Sequence, residues 1–169
     1  RACLFNIFHP YGKRANDETA RFCAAHSDRF IGFAYVSPYM TEAQIFDELR
    51  RSVDDLSMAA IKIYPPHTPW SLDDERYWPI YRFADDHGLA VISHTGREWQ
   101  AEPKYLSRVA PLFPRAMFVA GHTGNQQRWR DQALAAAKEY SNIYLETCST
   151  FRTPGAIEEI VMEGGEDRV

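Results

Sequence analysis

The chain has 169 residues, 45% of them hydrophobic and 25% charged, a balance that supports one sizeable core and a single domain or part of one. A net charge of −4 with no block of Lys or Arg argues against nucleic acid or an anionic membrane surface as partners, and no apolar run approaches the roughly 20 residues that cross a bilayer. The three cysteines, Cys3, Cys23 and Cys148, are scattered without a C-x-x-C, which excludes a disulfide framework or a zinc ribbon and fits a reducing, cytoplasmic setting. The opening Arg1-Ala-Cys-Leu-Phe has neither an initiator Met nor a signal-like core, so further sequence is expected ahead of it.

Short β-rich runs alternate with helix-like segments along the chain. The first run is Ala2 to Ile7 and the second Phe30 to Val36. Thr41 to Leu56 follows, with apolar residues at Ile45, Leu49, Val53 and Leu56 drawing one stripe on a helix, and Thr41 with Gln44 three positions on predicts a capping box. Ala59 to Tyr64 is the third run. Ser71 with Asp74 offers a similar box ahead of a helix over Tyr77 to His87, which Gly88 stops. Leu89 to His94 and Met117 to His122 are the fourth and fifth runs. A helix rich in Ala, Leu and Lys over Arg128 to Tyr140 precedes the sixth run, Asn142 to Thr147. Pro154 opens a last helix that runs out at Gly164-Gly165, and Glu166 to Val169 reads as the approach to another strand. The runs start 25 to 30 residues apart, about the length of a strand, a crossover helix and two short loops.

Six strands with five intervening helices make either an open doubly wound sheet or most of an eight-stranded barrel, and periodicity alone leaves both open. A G-x-G-x-x-G after the first strand and a G-x-x-x-x-G-K-[ST] are both absent, which removes the commonest reasons for an open nucleotide-binding sheet. Polar groups close several successive runs: Lys62 and Tyr64, His94, His122, then Glu146, Thr147 and Cys148. A barrel gathers such groups around one axis, whereas an open sheet spreads them along an edge, so the expected fold is α/β of the (β/α)8 TIM-barrel type.

His94 and His122 each close an apolar run and each open the tripeptide His-Thr-Gly. A metal-competent residue at the carboxyl end of a strand buried on both faces points to a metal-centred enzyme site. These motifs, with Ala60-Ile-Lys-Ile-Tyr-Pro-Pro, Leu72-Asp-Asp-Glu-Arg and Asn142-Ile-Tyr-Leu-Glu-Thr in the same order, resemble the amidohydrolase-related branch of the metal-dependent amidohydrolase superfamily, which includes aminocarboxymuconate-semialdehyde decarboxylase. The resemblance covers nearly the whole chain. It implies a distorted (β/α)8 barrel of which the six runs are strands 2 to 7, with one divalent metal, Zn²⁺ first and Mn²⁺ as the alternative, at the carboxyl ends of the strands. His94 would end strand 5 as a metal ligand, and His122 would end strand 6 as a general acid/base beside metal-bound water or substrate. The family also has a His-x-His on strand 1 and an aspartate on strand 8. Neither is in this sequence, so the expectation is an incomplete barrel, inactive by itself.

The remaining polar residues carry weaker signals. Lys62 alternates within Ile61-Lys62-Ile63 like an ordinary strand residue and is expected at the barrel mouth, supporting the metal's ligands rather than binding the metal. His67 lies in a Pro-rich loop on the same face. Arg97 or Arg128 is suited to a substrate carboxylate and Trp99 to covering a ring. Cys148 reads as a buried small hydrophobe, and His26 and His87 as structural residues at helix ends. A small molecule is the expected substrate, and a homodimer is compatible with the resemblance. The leading function is metal-dependent hydrolysis of an ester, lactone or amide through an activated water. The alternatives are nonoxidative decarboxylation of an aromatic or unsaturated acid, and a non-catalytic barrel fragment or binding module.

Overall fold

The computed structural model describes residues 1–7, 12–123, 125–149 and 153–169; His9 and Gly124 fall outside these. Six parallel strands, β1 (Ala2–Leu4), β2 (Phe30–Tyr35), β3 (Ala60–Ile63), β4 (Ala90–His94), β5 (Met117–Gly121) and β6 (Ile143–Leu145), pair in chain order. That order separates the two expected folds. A doubly wound sheet reverses direction at a switch point, whereas a barrel adds each new strand beside the last. The sequence here runs from β1 to β6 without a reversal.

Burial shows which face is which. Ile61, Ile63, Val91, Phe118, Ala120, Ile143 and Leu145 are each no more than 2% exposed, packed under the helices as the main core. Ala90, Met117, Val119 and Tyr144, which point the opposite way in the pleat, are only half-buried. The chain is therefore a section of a (β/α) barrel, its outer face covered by helices and its inner face partly open. Among the described residues no helix is long and apolar enough to cross a membrane.

The helices follow local chemistry. The first, α1 (Gly12–Ala25), returns the chain to β2 and is tied there by Asn16, fully buried, whose amide donates to the Tyr35 carbonyl at 3.0 Å and whose oxygen accepts the Tyr35 N–H at 2.8 Å. The second, α2 (Glu42–Asp54), carries the predicted box: Thr41 Oγ1 accepts the Gln44 N–H at 3.3 Å and Gln44 Oε1 accepts the Thr41 N–H at 2.9 Å. The box expected from Ser71 and Asp74 does not form. Ser71 Oγ donates instead to Asp73 at 2.5 Å, while Asp74 accepts the Arg76 N–H at 3.0 Å and caps a 3₁₀ turn over Glu75–Tyr77. This turn delays α3 to Trp78–His87, which Gly88 ends at φ +63° as predicted.

Between β4 and β5 lie 3₁₀ turns and a single short helix, α4 (Leu106–Val109). The helix after β5 is α5 (Gln127–Glu139), and α6 (Ala156–Gly164) begins after Gly155 rather than at Pro154. Glu166–Arg168, read as the approach to another strand, forms a 3₁₀ turn. The cause is Arg168, whose Nη1 donates to the carbonyls of Ala137 (2.8 Å), Tyr140 (2.9 Å) and Ile143 (3.3 Å). Carbonyls left over at the end of α5 thereby acquire a donor, and the tail is held against the α5–β6 corner.

Candidate functional site

Strand register brings the polar strand ends to one level. His94 pairs with Gly121, and Ala120 pairs with Leu145, so His94, His122 and Glu146 converge at the carboxyl ends of three neighbouring strands. The threonines of the two His-Thr-Gly motifs explain how these ends are held. Thr95 is 1% exposed and gives the Gly121 carbonyl both its N–H (3.2 Å) and its hydroxyl (2.7 Å). Thr123, equally buried, donates its N–H to the Glu146 carbonyl at 3.0 Å and its hydroxyl to the Ala120 carbonyl at 2.7 Å. Each threonine thus fastens the end of its strand and fixes the histidine before it. Gly121 is required where β4 and β5 approach, because a Cβ there would lie 2.6 Å from the Ser93 carbonyl oxygen.

The His94 ring sits between Tyr64, with centroids 4.8 Å apart, and His122, with centroids 4.9 Å apart. Its Nε2 is 3.2 Å from Glu98 Oε2, and its Nδ1 is buried without a hydrogen-bond partner. Burial lowers its pKa below the ordinary histidine value, only partly offset by Glu98, so the imidazole is neutral near pH 7. A Cβ at Gly96 would come to 3.4 Å from Glu98 Oε2 and 3.7 Å from His94 Nε2, so glycine keeps the space beside that nitrogen open.

His122 lies just past β5 in the left-handed region, at φ +66°. Glu146 holds it there: Oε2 accepts the His122 N–H at 2.9 Å, while Oε1 accepts the Cys148 N–H at 2.5 Å. His122 Nδ1 lies 3.3 Å from the Cys148 carbonyl oxygen, which can only accept, so that bond places the proton on Nδ1 and leaves Nε2 for other partners. Cys148 is exposed, contrary to the buried hydrophobe expected, because the Glu146 clamp turns its loop outward at the strand end.

Lys62, one pair of residues below on β3, is 3% exposed, with Nζ 4.9 Å from the centre of the Phe5 ring. Burial lowers its pKa to about 8, against the opposing fields of Glu146 and Cys148. His67 packs against the Tyr64 ring at a tilt of 47°, centroids 4.4 Å apart, and so adjoins the site through that ring. Arg97 is exposed and lies 3.4 Å from Glu98; Trp99 is 55% exposed on a 3₁₀ turn. Arg128 is exposed over the Trp129 ring at 4.5 Å. The structure therefore brings His94, His122 and Lys62 together and leaves Arg97, Trp99 and Arg128 at the rim. His87 and His26 pack on Phe83 and on Phe22 and Phe30, as expected of structural residues. Sequence reasoning gave no role to Glu98, Glu146 or Tyr64, although Glu98 stands four residues after His94 and Glu146 ends a strand.

The family profile described as amidohydrolase matches residues 5–169. The chain belongs to the amidohydrolase family. Among curated proteins, this amidohydrolase chain is similar to 2-amino-3-carboxymuconate-6-semialdehyde decarboxylase of Dictyostelium discoideum, 33% identical over 79 residues that cover 47% of this chain and 22% of the relative. Among solved structures, 2,6-dihydroxybenzoate decarboxylase from Rhizobium superposes with a TM-score of 0.72 at 20% identity, covering 93% of this chain and 64% of the other. A 5-carboxyvanillate decarboxylase from Novosphingobium aromaticivorans, solved with manganese and 3-methoxy-4-hydroxy-5-nitrobenzoic acid, superposes with a TM-score of 0.74 at 20% identity, covering 94% of this chain and 58% of the other. The chain thus spans less than two thirds of the length of these proteins, and the structural likeness shows their barrel fold.

Proposed function

We propose that the complete protein carrying this barrel section is a metal-dependent, nonoxidative decarboxylase of an aromatic or unsaturated carboxylic acid. The observation that carries the reading is the His94 ring set against His122 at 4.9 Å, at the carboxyl ends of adjacent strands, in a chain whose aligned curated relative is a decarboxylase. Hydrolysis, the leading expectation from sequence, has less support, because the relative and both structural neighbours described above act on carboxylic acids by decarboxylation.

The residues fit a divalent ion. His94 offers an uncharged imidazole with a buried, unpartnered Nδ1, and the missing side chain of Gly96 leaves room beside Nε2. We assign His94 as the ligand from this chain, with Zn²⁺ first and Mn²⁺, which the Novosphingobium enzyme binds, as the alternative. When bound, the ion supplies positive charge that holds substrate oxygens and favours the electron-rich carbon left by departing CO₂.

The chain's own groups account for the rest. His122 Nε2, left open by the Nδ1 contact to Cys148, takes up a proton from solvent and passes it to the carbon from which CO₂ departs, so that a C–H bond replaces the C–C bond broken. Lys62, beneath the pair, adds positive charge that draws a carboxylate into the mouth. At the rim, Arg97 or Arg128 meets the substrate's carboxylate, Trp99 covers its ring, and His67 extends the Tyr64 wall.

The test uses the complete protein, assayed in parallel for CO₂ release from hydroxybenzoates and muconate-type acids and for cleavage of esters and lactones. CO₂ release is expected. Ester or lactone cleavage without CO₂ would return the assignment to hydrolysis.

A further inference from the structure

One donor atom from each of His122, Glu146 and Cys148 lies within 4.8 Å of the other two. From this juxtaposition we propose that the barrel mouth contains a second metal site, separate from the one at His94, with a nitrogen, an oxygen and a thiolate donor selective for a borderline-soft ion such as Zn²⁺.

The donors are held together by the backbone of the two loops that carry them. Glu146 accepts the His122 N–H on Oε2 at 2.9 Å and the Cys148 N–H on Oε1 at 2.5 Å, so one carboxylate fixes both loops. An ionised carboxylate has about four lone-pair positions, and two N–H bonds leave one free on each oxygen. His122 Nδ1 faces the Cys148 carbonyl at 3.3 Å, which presents Nε2 as the open nitrogen. Bonds of about 2.0 to 2.3 Å place tetrahedral donors about 3.3 to 3.8 Å apart. Rotation of the exposed Cys148 side chain, which gives up its 3.7 Å contact with the Ser149 hydroxyl, together with small shifts of the His122 and Glu146 side chains, closes the present spacing to that range.

Donor chemistry sets the selectivity. A thiolate with imidazole and carboxylate suits Zn²⁺ or Co²⁺, whereas Mn²⁺ and Mg²⁺ prefer oxygen ligands. On binding, the Cys148 thiol gives one proton to solvent, one metal–sulfur bond forms, and no redox partner is involved. A consequence rests on the reading of His122 as the proton donor: with Nε2 on a metal, that proton cannot be delivered. Zn²⁺ beyond one equivalent therefore inhibits decarboxylation, and Mn²⁺ does not.

The test is Co²⁺ titration of the metal-free protein followed by absorption spectroscopy, which needs no turnover. A thiolate-to-cobalt charge-transfer band in the near ultraviolet is expected, displaced by Zn²⁺ and not by Mn²⁺. Cys148→Ser, a change at an exposed position, abolishes the band; His122→Ala does the same; His94→Ala leaves it in place. No thiolate band in the wild type, or an unchanged band in Cys148→Ser, would overturn the site. Loss of the band in His94→Ala, with the far-ultraviolet circular dichroism of that variant unchanged, would show one shared centre and overturn the claim of a separate one.

Discussion

Lys62 is the residue whose environment works most plainly against the stability of the fold. An ammonium 3% exposed, held to a pKa of about 8, binds fewer protons folded than unfolded between that value and its ordinary 10.5. Folding stability therefore rises with pH across this interval, and the full penalty is present below it. Lys62→Met should stabilise the protein by about 1 to 3 kcal/mol at pH 7, an advantage that disappears near pH 10.5. Urea unfolding at the two pH values checks it. The same variant should bind carboxylate substrates more weakly, since the interior charge is then gone. Lys62 was legible in the sequence as an interior strand residue, because alternation with Ile61 and Ile63 requires it. Glu98 and Glu146 were not, since no periodicity tells which loop carboxylate folds back on a histidine or on its backbone. The left-handed backbone of His122 was equally hidden: it depends on the Glu146 clamp, 24 positions away in sequence.

At the scale of elements, the ends of β4 and β5 are where small changes should have large effects. Gly121→Ala puts a Cβ 2.6 Å from a backbone oxygen that cannot move without breaking the pairing of His94 with Gly121, and about 2 to 4 kcal/mol of stability should be lost. Gly96→Ala meets only side-chain atoms at 3.4 and 3.7 Å, so the fold should persist with less than about 1 kcal/mol lost while metal affinity falls. Thermal unfolding and metal titration of the two variants distinguish a fold-bearing glycine from a site-bearing one. Helices with a continuous apolar stripe, such as α2, were readable together with their caps. The Ser71 box was misread because Asp73, not Asp74, captured the hydroxyl. The stretch between β4 and β5 gave no long helix to read: Pro103, Pro111 and Pro114 interrupt it, and it folds as 3₁₀ turns around the four-residue α4.

The whole molecule is an ordered stack of βα units whose outer core is complete and whose inner face is not. Among the described residues β1 and β6 each have a single strand partner, and Met117, Val119 and Tyr144 line a cavity of about 400 Å³ bounded on one side by Asp167, Arg168 and Val169. Edges of this kind attract further strands, so the chain by itself should self-associate as concentration rises, a trend that sedimentation velocity would detect. Barrel order was legible because polar strand ends recur at a fixed rhythm, and the strictly sequential sheet bears that out. The tail, read as the approach to a further strand, forms a 3₁₀ turn whose Arg168 is drawn to the carbonyls at the end of α5.

Delivery of a proton by His122 to the carbon that loses CO₂ is checked by turnover of the complete protein in D₂O with mass analysis of the product. One deuterium at the vacated carbon is expected, with His122→Gln losing turnover while the bound metal is retained. Product without carbon-bound deuterium, or full activity in His122→Gln, would contradict it.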